Sequence, residues 1–235
     1  MHVLDRPSPN HGPRPGDAAI DMLILHYTGM RTAAGALDRL CSPEAQVSAH
    51  YLIEEDGTLW RLVPEERRAW HAGLSFWAGR RDINSVSIGI ELANPGHEFG
   101  YRAFPEAQMA ALESLCRDIL ARHPIPARHV LGHSDVAPQR KSDPGELFDW
   151  PRLAGAGIGL WPADVTAPPV AGDIAAIQQR LAAIGYDTPT TGTFDAATRQ
   201  VIAAFQRHFH PARCDGEPDA ATRARLAAVA GACGV

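Results

Sequence analysis

The sequence predicts an α/β (α+β) protein in which a mixed central sheet is flanked by helices and followed by a small C-terminal three-helix module. Three observations carry that expectation. Short apolar runs of strand length recur through the first part of the chain, and one longer segment there has apolar residues at three- and four-residue spacing. A stretch rich in Gly, Pro and Ala then separates this part from a tail whose apolar residues recur at helical spacing. Helices covering a sheet are one of the few layered arrangements that bury both kinds of apolar face.

The elements follow in chain order. Met1 to Ile20 holds Pro7, Pro9, Pro13 and Pro15 with Asp5 and Asp17, and no apolar stretch of signal-peptide length. A cytoplasmic location is therefore expected, with the periplasm as the alternative. Met22 to Tyr27 (MLILHY), Ala49 to Ile53, Leu59 to Leu62 and Val86 to Leu92 read as strands, with Gly57 turning the middle pair. Pro105 to His123 reads as a helix. Pro105 suits its first turn, Glu106 its positive end, and Met109, Leu112, Leu115, Cys116 and Ile119 lie on one face. His129 to Leu131 is a further strand.

Gly155 to Gly172 has neither helical nor strand period and reads as a linker, giving domains 1–154 and 173–235 joined by 155–172. Beyond it, Ile174, Ile177, Leu181 and Ile184 mark a helix that Gly185 stops. Two more helices, Ala196 to His208 and Ala220 to Ala230, are each preceded by an Asp able to cap them, Asp195 and Asp219. The set Gly192, Asp195, Thr198, Arg199 returns twenty-four residues later as Gly216, Asp219, Thr222, Arg223, so one turn-plus-helix unit is repeated.

The 235 residues are 45% hydrophobic and 21% charged, enough for a core without staples. A net charge of -5 supplies no basic field for a polyphosphate, so nucleic acid is not an expected partner. No apolar run approaches the roughly 20 residues of a membrane span. Cys41, Cys116, Cys214 and Cys233 are scattered and read as reduced thiols.

The chemistry-bearing residues concentrate before the linker. His26 ends an apolar strand; taken alone, a histidine there is more often a hydrogen-bonded core or cleft residue than a ligand. The loop Gly132 to Gly145 (GHSDVAPQRKSDPG) packs His133, Asp135, Lys141 and Asp143 together. His26, His133 and Asp143 would give two nitrogens and one carboxylate oxygen, leaving a fourth metal position for water, as in catalytic zinc sites. Glu91, at the end of the strand Val86 to Leu92, suits a general base whose pKa burial would raise. Lys141 could stabilise an oxyanion, or could be an ordinary solvated lysine.

The stretches L-H-Y-T, V-S-A-H-Y-L-I-E-E-D-G, A-W-H-A-G-x-S-x-W, S-I-G-I-E-L-A-N and G-H-S-D-V-A-P-Q-R-K-S-D-P-G, spanning about Met22 to Trp150, resemble the zinc-dependent N-acetylmuramoyl-L-alanine amidases. That resemblance implies Zn2+ on His26, His133 and Asp143, Glu91 as catalytic glutamate and Lys141 as oxyanion stabiliser. It also implies hydrolysis of the bond between N-acetylmuramic acid and the L-alanine of a stem peptide; the missing signal segment favours the 1,6-anhydro form, whereas a wall-binding module would suit intact murein. His50 is read as structural and His71 as lining the cleft.

Trp70, His71, Ala72, Gly73, Ser75, Trp77 and Asn84 are expected to shape the substrate groove, each with a core role as the alternative. Arg80 and Arg81 could meet a stem-peptide carboxylate, or be solvated. In the tail, G-T-F-D-A-A-T-R and V-I-A-A-F-Q resemble the peptidoglycan-binding three-helix module, which implies peptidoglycan fragments or murein as partners. A helical add-on that only stabilises the enzyme, or mediates dimerisation, would need the same core residues. Competing readings of the whole are a non-catalytic peptidoglycan receptor and a zinc hydrolase of another amide bond.

Overall fold

A computed structural model of the chain describes residues 3–16, 18–162 and 172–235. The expected α/β class is the one found. Half of the expected linker, 163–171, lies outside the described residues. Packing divides the chain into two compact units: Met1–Gly73 with Asp82–Leu131, and Leu74–Arg81 with Gly132–Val235.

The first unit is built on strands β1 (Val3–Asp5), β2 (His11–Pro13), β3 (Met22–Tyr27), β4 (Tyr51–Ile53), β5 (Leu59–Arg61), β6 (Arg67–Ala69) and β7 (Ser87–Leu92). With β8 (Val130–Gly132), six of them form a sheet in the order β1-β5-β4-β7-β3-β8, while β2 and β6 make a separate antiparallel ribbon. Strand β7 runs parallel to both β3 and β4. Parallel strands covered on both faces need continuous apolar runs rather than alternation, which explains MLILHY: Met22 to Leu25 are all at 0% exposure.

Helices α1 (Ala33–Cys41), α2 (Ile83–Val86), α3 (Gly96–Phe99) and α4 (Glu106–Arg122) complete this unit. The apolar face predicted for α4 is buried, and the helix also buries Gln108, whose amide donates to the Ile53 and Ala93 carbonyls at the ends of β4 and β7. Gly57, at φ +88, turns β4 into β5, and a Cβ there would sit 2.8 Å from the Ala107 carbonyl oxygen. Turn and helix meet too closely for any other residue.

Helix α1 was not evident in sequence. It is nine residues long, has Gly35 inside it, and relies on the Thr32 side-chain cap on Gly35 N–H and on packing of Ala36, Leu37 and Leu40 against Leu52 and Leu62. The strands β1, β2 and β6 were also unpredicted, because V-L-D, H-G-P and R-R-A carry no apolar alternation. They are short, and the prolines near β1 and β2 suit edges.

The second unit contains α5 (His133–Val136), α6 (Trp150–Gly155), α7 (Ile174–Ile184), α8 (Ala196–Phe209) and α9 (Ala220–Cys233). Asp195 and Asp219 cap α8 and α9 as expected, accepting from Thr198 N–H and Thr222 N–H at 2.8 Å each. Asp173 caps α7 in the same way through Ala176 N–H. The repeat extends further than the motif suggested. Gln178 on α7 accepts from Gly192 N–H and donates to the Thr193 carbonyl and Thr198 hydroxyl. Gln206 on α8 does the same with Gly216 N–H, the Glu217 carbonyl and the Thr222 hydroxyl. Both amides are at 0% exposure, so each turn is held by a buried group whose hydrogen bonds are satisfied locally.

Candidate metal centre

His26 and Glu91 reach their positions by strand pairing alone. They are Cα partners in the parallel β3–β7 register, so their side chains leave the same face of the sheet on adjacent strands. His26 is 1% exposed and Glu91 is half-buried.

A chain of hydrogen bonds fixes the protonation pattern of His26. The Ser87 hydroxyl donates its one proton to the Ile83 carbonyl at 2.6 Å, so the 3.1 Å contact between Ser87 Oγ and His71 Nε2 must be a donation from His71. When His71 is neutral, its Nδ1 is an acceptor and His26 Nε2, 3.1 Å away, carries the proton. That leaves the lone pair of His26 on Nδ1, the state in which an imidazole can bind a metal. Gly89, inside β7, makes the arrangement possible: a Cβ there would lie 2.5 Å from the His71 ring.

His50 is also buried, and both its nitrogens are engaged: Nδ1 accepts from Gly89 N–H at 2.9 Å and Nε2 donates to the Arg67 carbonyl at 3.1 Å. Burial, and next the nearby Arg14 cation, push its pKa down to about 3. Arg14, which sequence reasoning passed over, donates to the carbonyls of Glu65, Asn84, Ser85 and Ser87 and so ties the N-terminal segment to the start of β7.

In the second unit, His133 opens α5 and Asp143 closes the loop after it. His133 Nδ1 and Asp143 Oδ2 are 3.0 Å apart, and both residues are buried. The loop is braced by Ser134 N–H on the Asp143 carbonyl and by Ala137 N–H on the His133 carbonyl. Lys141 is exposed, with its N–H on the Ala137 carbonyl.

Among the described residues, His26, His133 and Asp143 form a group in which one donor atom from each lies within 4.8 Å of the other two. All three are buried, and the donors are two imidazoles and a carboxylate. The 3.0 Å between the His133 and Asp143 donors is close to the roughly 3.3 Å expected between two ligands of one tetrahedral zinc. The group therefore suits a divalent ion that prefers nitrogen with some oxygen, and three protein ligands leave one position open.

The residues expected to shape a groove divide. Trp70 is half-buried and Gly73 exposed. Ala72 is at 0% exposure, and Asn84, 6% exposed, accepts from the N–H groups of His71 and Ala72 through its side-chain oxygen. Trp77 departs from the expectation. It is 1% exposed and packs edge-on against Tyr186, so it is a core ring of the second unit. Arg80 and Arg81 are exposed; Arg81 lies over the Phe76 ring and 3.8 Å from Asp187.

The family model for N-acetylmuramoyl-L-alanine amidases matches residues 16–146, more than half of the chain. This chain belongs to that family. A second family model, for peptidoglycan binding domains, matches residues 171–226. The N-acetylmuramoyl-L-alanine amidase AmiD of Escherichia coli K12 is 40% identical over 227 residues, which cover 87% of this chain and 80% of AmiD. The 1,6-anhydro-N-acetylmuramyl-L-alanine amidase AmpD of Salmonella typhimurium is 36% identical over 164 residues, covering 63% of this chain and 86% of AmpD.

Among solved structures, the E. coli amidase in complex with its substrate anhydro-N-acetylmuramic acid-L-Ala-D-γ-Glu-L-Lys superposes with a TM-score of 0.80 at 39% identity, covering 97% of this chain and 93% of that one. AmpDh3 from Pseudomonas aeruginosa superposes at 0.82 and 34% identity, covering 98% and 96%. The buried His-His-Asp group of the present chain lies within the span of the family match. No helix of the described residues is long and apolar enough to cross a membrane.

Proposed function

We propose that this amidase uses zinc to hydrolyse the amide bond between N-acetylmuramic acid, in its 1,6-anhydro form, and the L-alanine of peptidoglycan stem peptides, as a step of muropeptide recycling in the cytoplasm. The observation that carries the reading is the approach of His26, His133 and Asp143 to within 4.8 Å, with Glu91 directly across the sheet from His26. Zinc held by these three residues supplies a Lewis acid for the scissile carbonyl and brings the pKa of water down to roughly 7.

The protein's own groups do the remaining work. Glu91 takes the proton of the attacking water and returns it to the departing nitrogen of L-alanine. Lys141 compensates the charge that develops on the carbonyl oxygen. His71 and Ser87 hold His26 in the tautomer that offers Nδ1. Trp70 and Gly73 offer surface to the substrate, and Asn84 with Ala72 holds the wall behind them.

In this reading residues 1–154 are the catalytic domain, 155–172 the linker and 173–235 the wall-binding module. The match of 171–226 to peptidoglycan binding domains favours a second reading, an enzyme of the periplasm that cleaves intact murein. The purified protein, with zinc and after chelation, is to be incubated with anhydromuropeptides and with intact sacculi, and the products identified by mass spectrometry. Zinc-dependent release of peptides beginning at L-alanine, faster from the anhydromuropeptides, is the expected result. Faster release from sacculi would select the periplasmic reading, and no cleavage of either with zinc present would overturn the amidase reading.

A further inference from the structure

Two residues after His133 lies Asp135, at 0% exposure and in none of the roles above. A fully buried carboxylate is costly unless every oxygen is answered by a donor. Here Oδ1 accepts from the Tyr186 hydroxyl at 2.6 Å, and Oδ2 accepts from His208 Nδ1 at 2.7 Å and from Gly132 N–H at 2.8 Å. Tyr186 directly follows the Gly185 that ends α7, and His208 lies in the last turn of α8. Two helices of the C-terminal module thus converge on one carboxylate of the turn that carries His133.

The donors are themselves held rigidly. The His208 ring is stacked on Trp150, with centroids 3.7 Å apart, and on Phe209 at 3.9 Å. Tyr186 meets Trp77 edge-on at 4.9 Å. Gly185 brings the module's backbone against that tryptophan, since a Cβ would lie 2.7 Å from its ring, and Ala78 N–H donates to the Gly185 carbonyl. Burial, and next the neighbouring Asp135 charge, push the Tyr186 phenol well up, so it keeps the proton it donates.

We propose that the C-terminal module is a positioning part of the metal centre: Tyr186 and His208, by holding Asp135, fix the one-turn helix that presents His133 and, through Ser134 N–H on the Asp143 carbonyl, the loop that presents Asp143. This rests on the reading of His133 and Asp143 as metal ligands. It gives the module a task on soluble substrates, where binding to a wall plays no part. Groups hydrogen-bonded to a ligand commonly change metal affinity tenfold to a hundredfold, and Tyr186 and His208, which act one step further out through Asp135 and the backbone, belong at the lower end of that range.

The test uses the full-length protein and three variants of the module. Tyr186→Phe removes one donor without changing ring volume. His208→Leu removes the other, and His208→Asn restores a donor at the place of Nδ1. Zinc affinity is read by competition with a chromophoric chelator, and kcat and KM are measured on a soluble anhydromuropeptide. Gly216→Ala is the control for mere loosening of the module, because its new Cβ meets the Arg199 carbonyl far along the chain from Asp135.

We expect Tyr186→Phe and His208→Leu to weaken zinc binding about tenfold and to lower kcat with KM little changed. His208→Asn should recover most of both, and Gly216→Ala should lower the melting temperature while zinc affinity stays within about twofold of the parent. Parent-like zinc affinity in Tyr186→Phe and His208→Leu, or a loss in Gly216→Ala as large as theirs, would overturn the proposal in favour of a simple brace. His133→Ala separates the two levels: if it leaves zinc binding intact, the ligand assignment falls and takes this inference with it.

Discussion

Replacing Ser87 by Ala should weaken zinc binding although Ser87 touches no ligand. The substitution deletes the hydroxyl that accepts from His71 Nε2–H, in a place where Ser87 is at 0% exposure. Leaving that buried donor without an acceptor costs about 1–3 kcal/mol. His71 can avoid much of the cost by moving its proton to Nδ1, which faces His26 Nε2 at 3.1 Å. Two N–H groups cannot face each other there, so His26 must shift its own proton to Nδ1 and lose the lone pair that a metal needs. The expected loss of zinc affinity is tenfold to a hundredfold, about 1.4–2.7 kcal/mol. Chelator competition measures the affinity, and long-range 1H–15N NMR of the metal-free protein reports which imidazole nitrogens carry protons. Ser87→Thr keeps a hydroxyl and should stay near the parent. The reasoning is refuted if Ser87→Ala binds zinc as the parent does while His26 remains protonated on Nε2.

Three other outcomes follow from the same geometry. Glu91→Gln should retain zinc and lower kcat by about a hundredfold or more; a variant that loses zinc instead would make Glu91 a ligand rather than a base. His50 is held neutral in the fold, with a pKa of about 3 against 6.5 unfolded, so below pH 6.5 the unfolded chain binds a proton that the folded chain refuses. Its contribution is complete above pH 6.5 and declines as pH falls towards 3, by up to about 1.4 kcal/mol per unit. Urea midpoints at pH 7.5 and 5 should therefore differ less in His50→Gln than in the parent, and equal differences would remove His50 as the cause. Gln206→Leu strands the Gly216 N–H and the Glu217 carbonyl, and should cost about 2–4 kcal/mol; an unchanged melting temperature would show that water replaces the amide.

What could be read in the sequence was whatever one segment determines by itself. MLILHY announced a strand buried on both faces, the spacing of Met109 to Ile119 announced the face of α4, and Asp195 and Asp219 announced their helices because a cap acts on residues three positions away. Metal chemistry restricted the candidates to histidines and carboxylates, but with His50 and His71 as rivals it was the family resemblance that singled out His26, His133 and Asp143. Hidden were the features that need two distant segments. Trp77 looked like a ligand-facing aromatic, but Gly185 and Tyr186 enclose it. Asp135 gave no sign that two of its three partners lie more than fifty residues away. For His71 a signal was present: a glycine inside the apolar strand S-I-G-I-E marks a close approach, and the group approaching Gly89 is the His71 ring.

The register that sets His26 opposite Glu91 has a wider consequence. If His26 is a ligand and Glu91 the base, as proposed, the gap between their strands is the spacing of hydrogen-bonded backbones, about 4.8 Å, which side-chain substitution cannot tune. Evolution could therefore exchange helices, lengthen loops or alter the groove for a new glycopeptide while the separation of the two groups stayed constant. For a designer the same fact lowers the barrier to transplantation, because two paired parallel strands already set the dimension that is hardest to engineer.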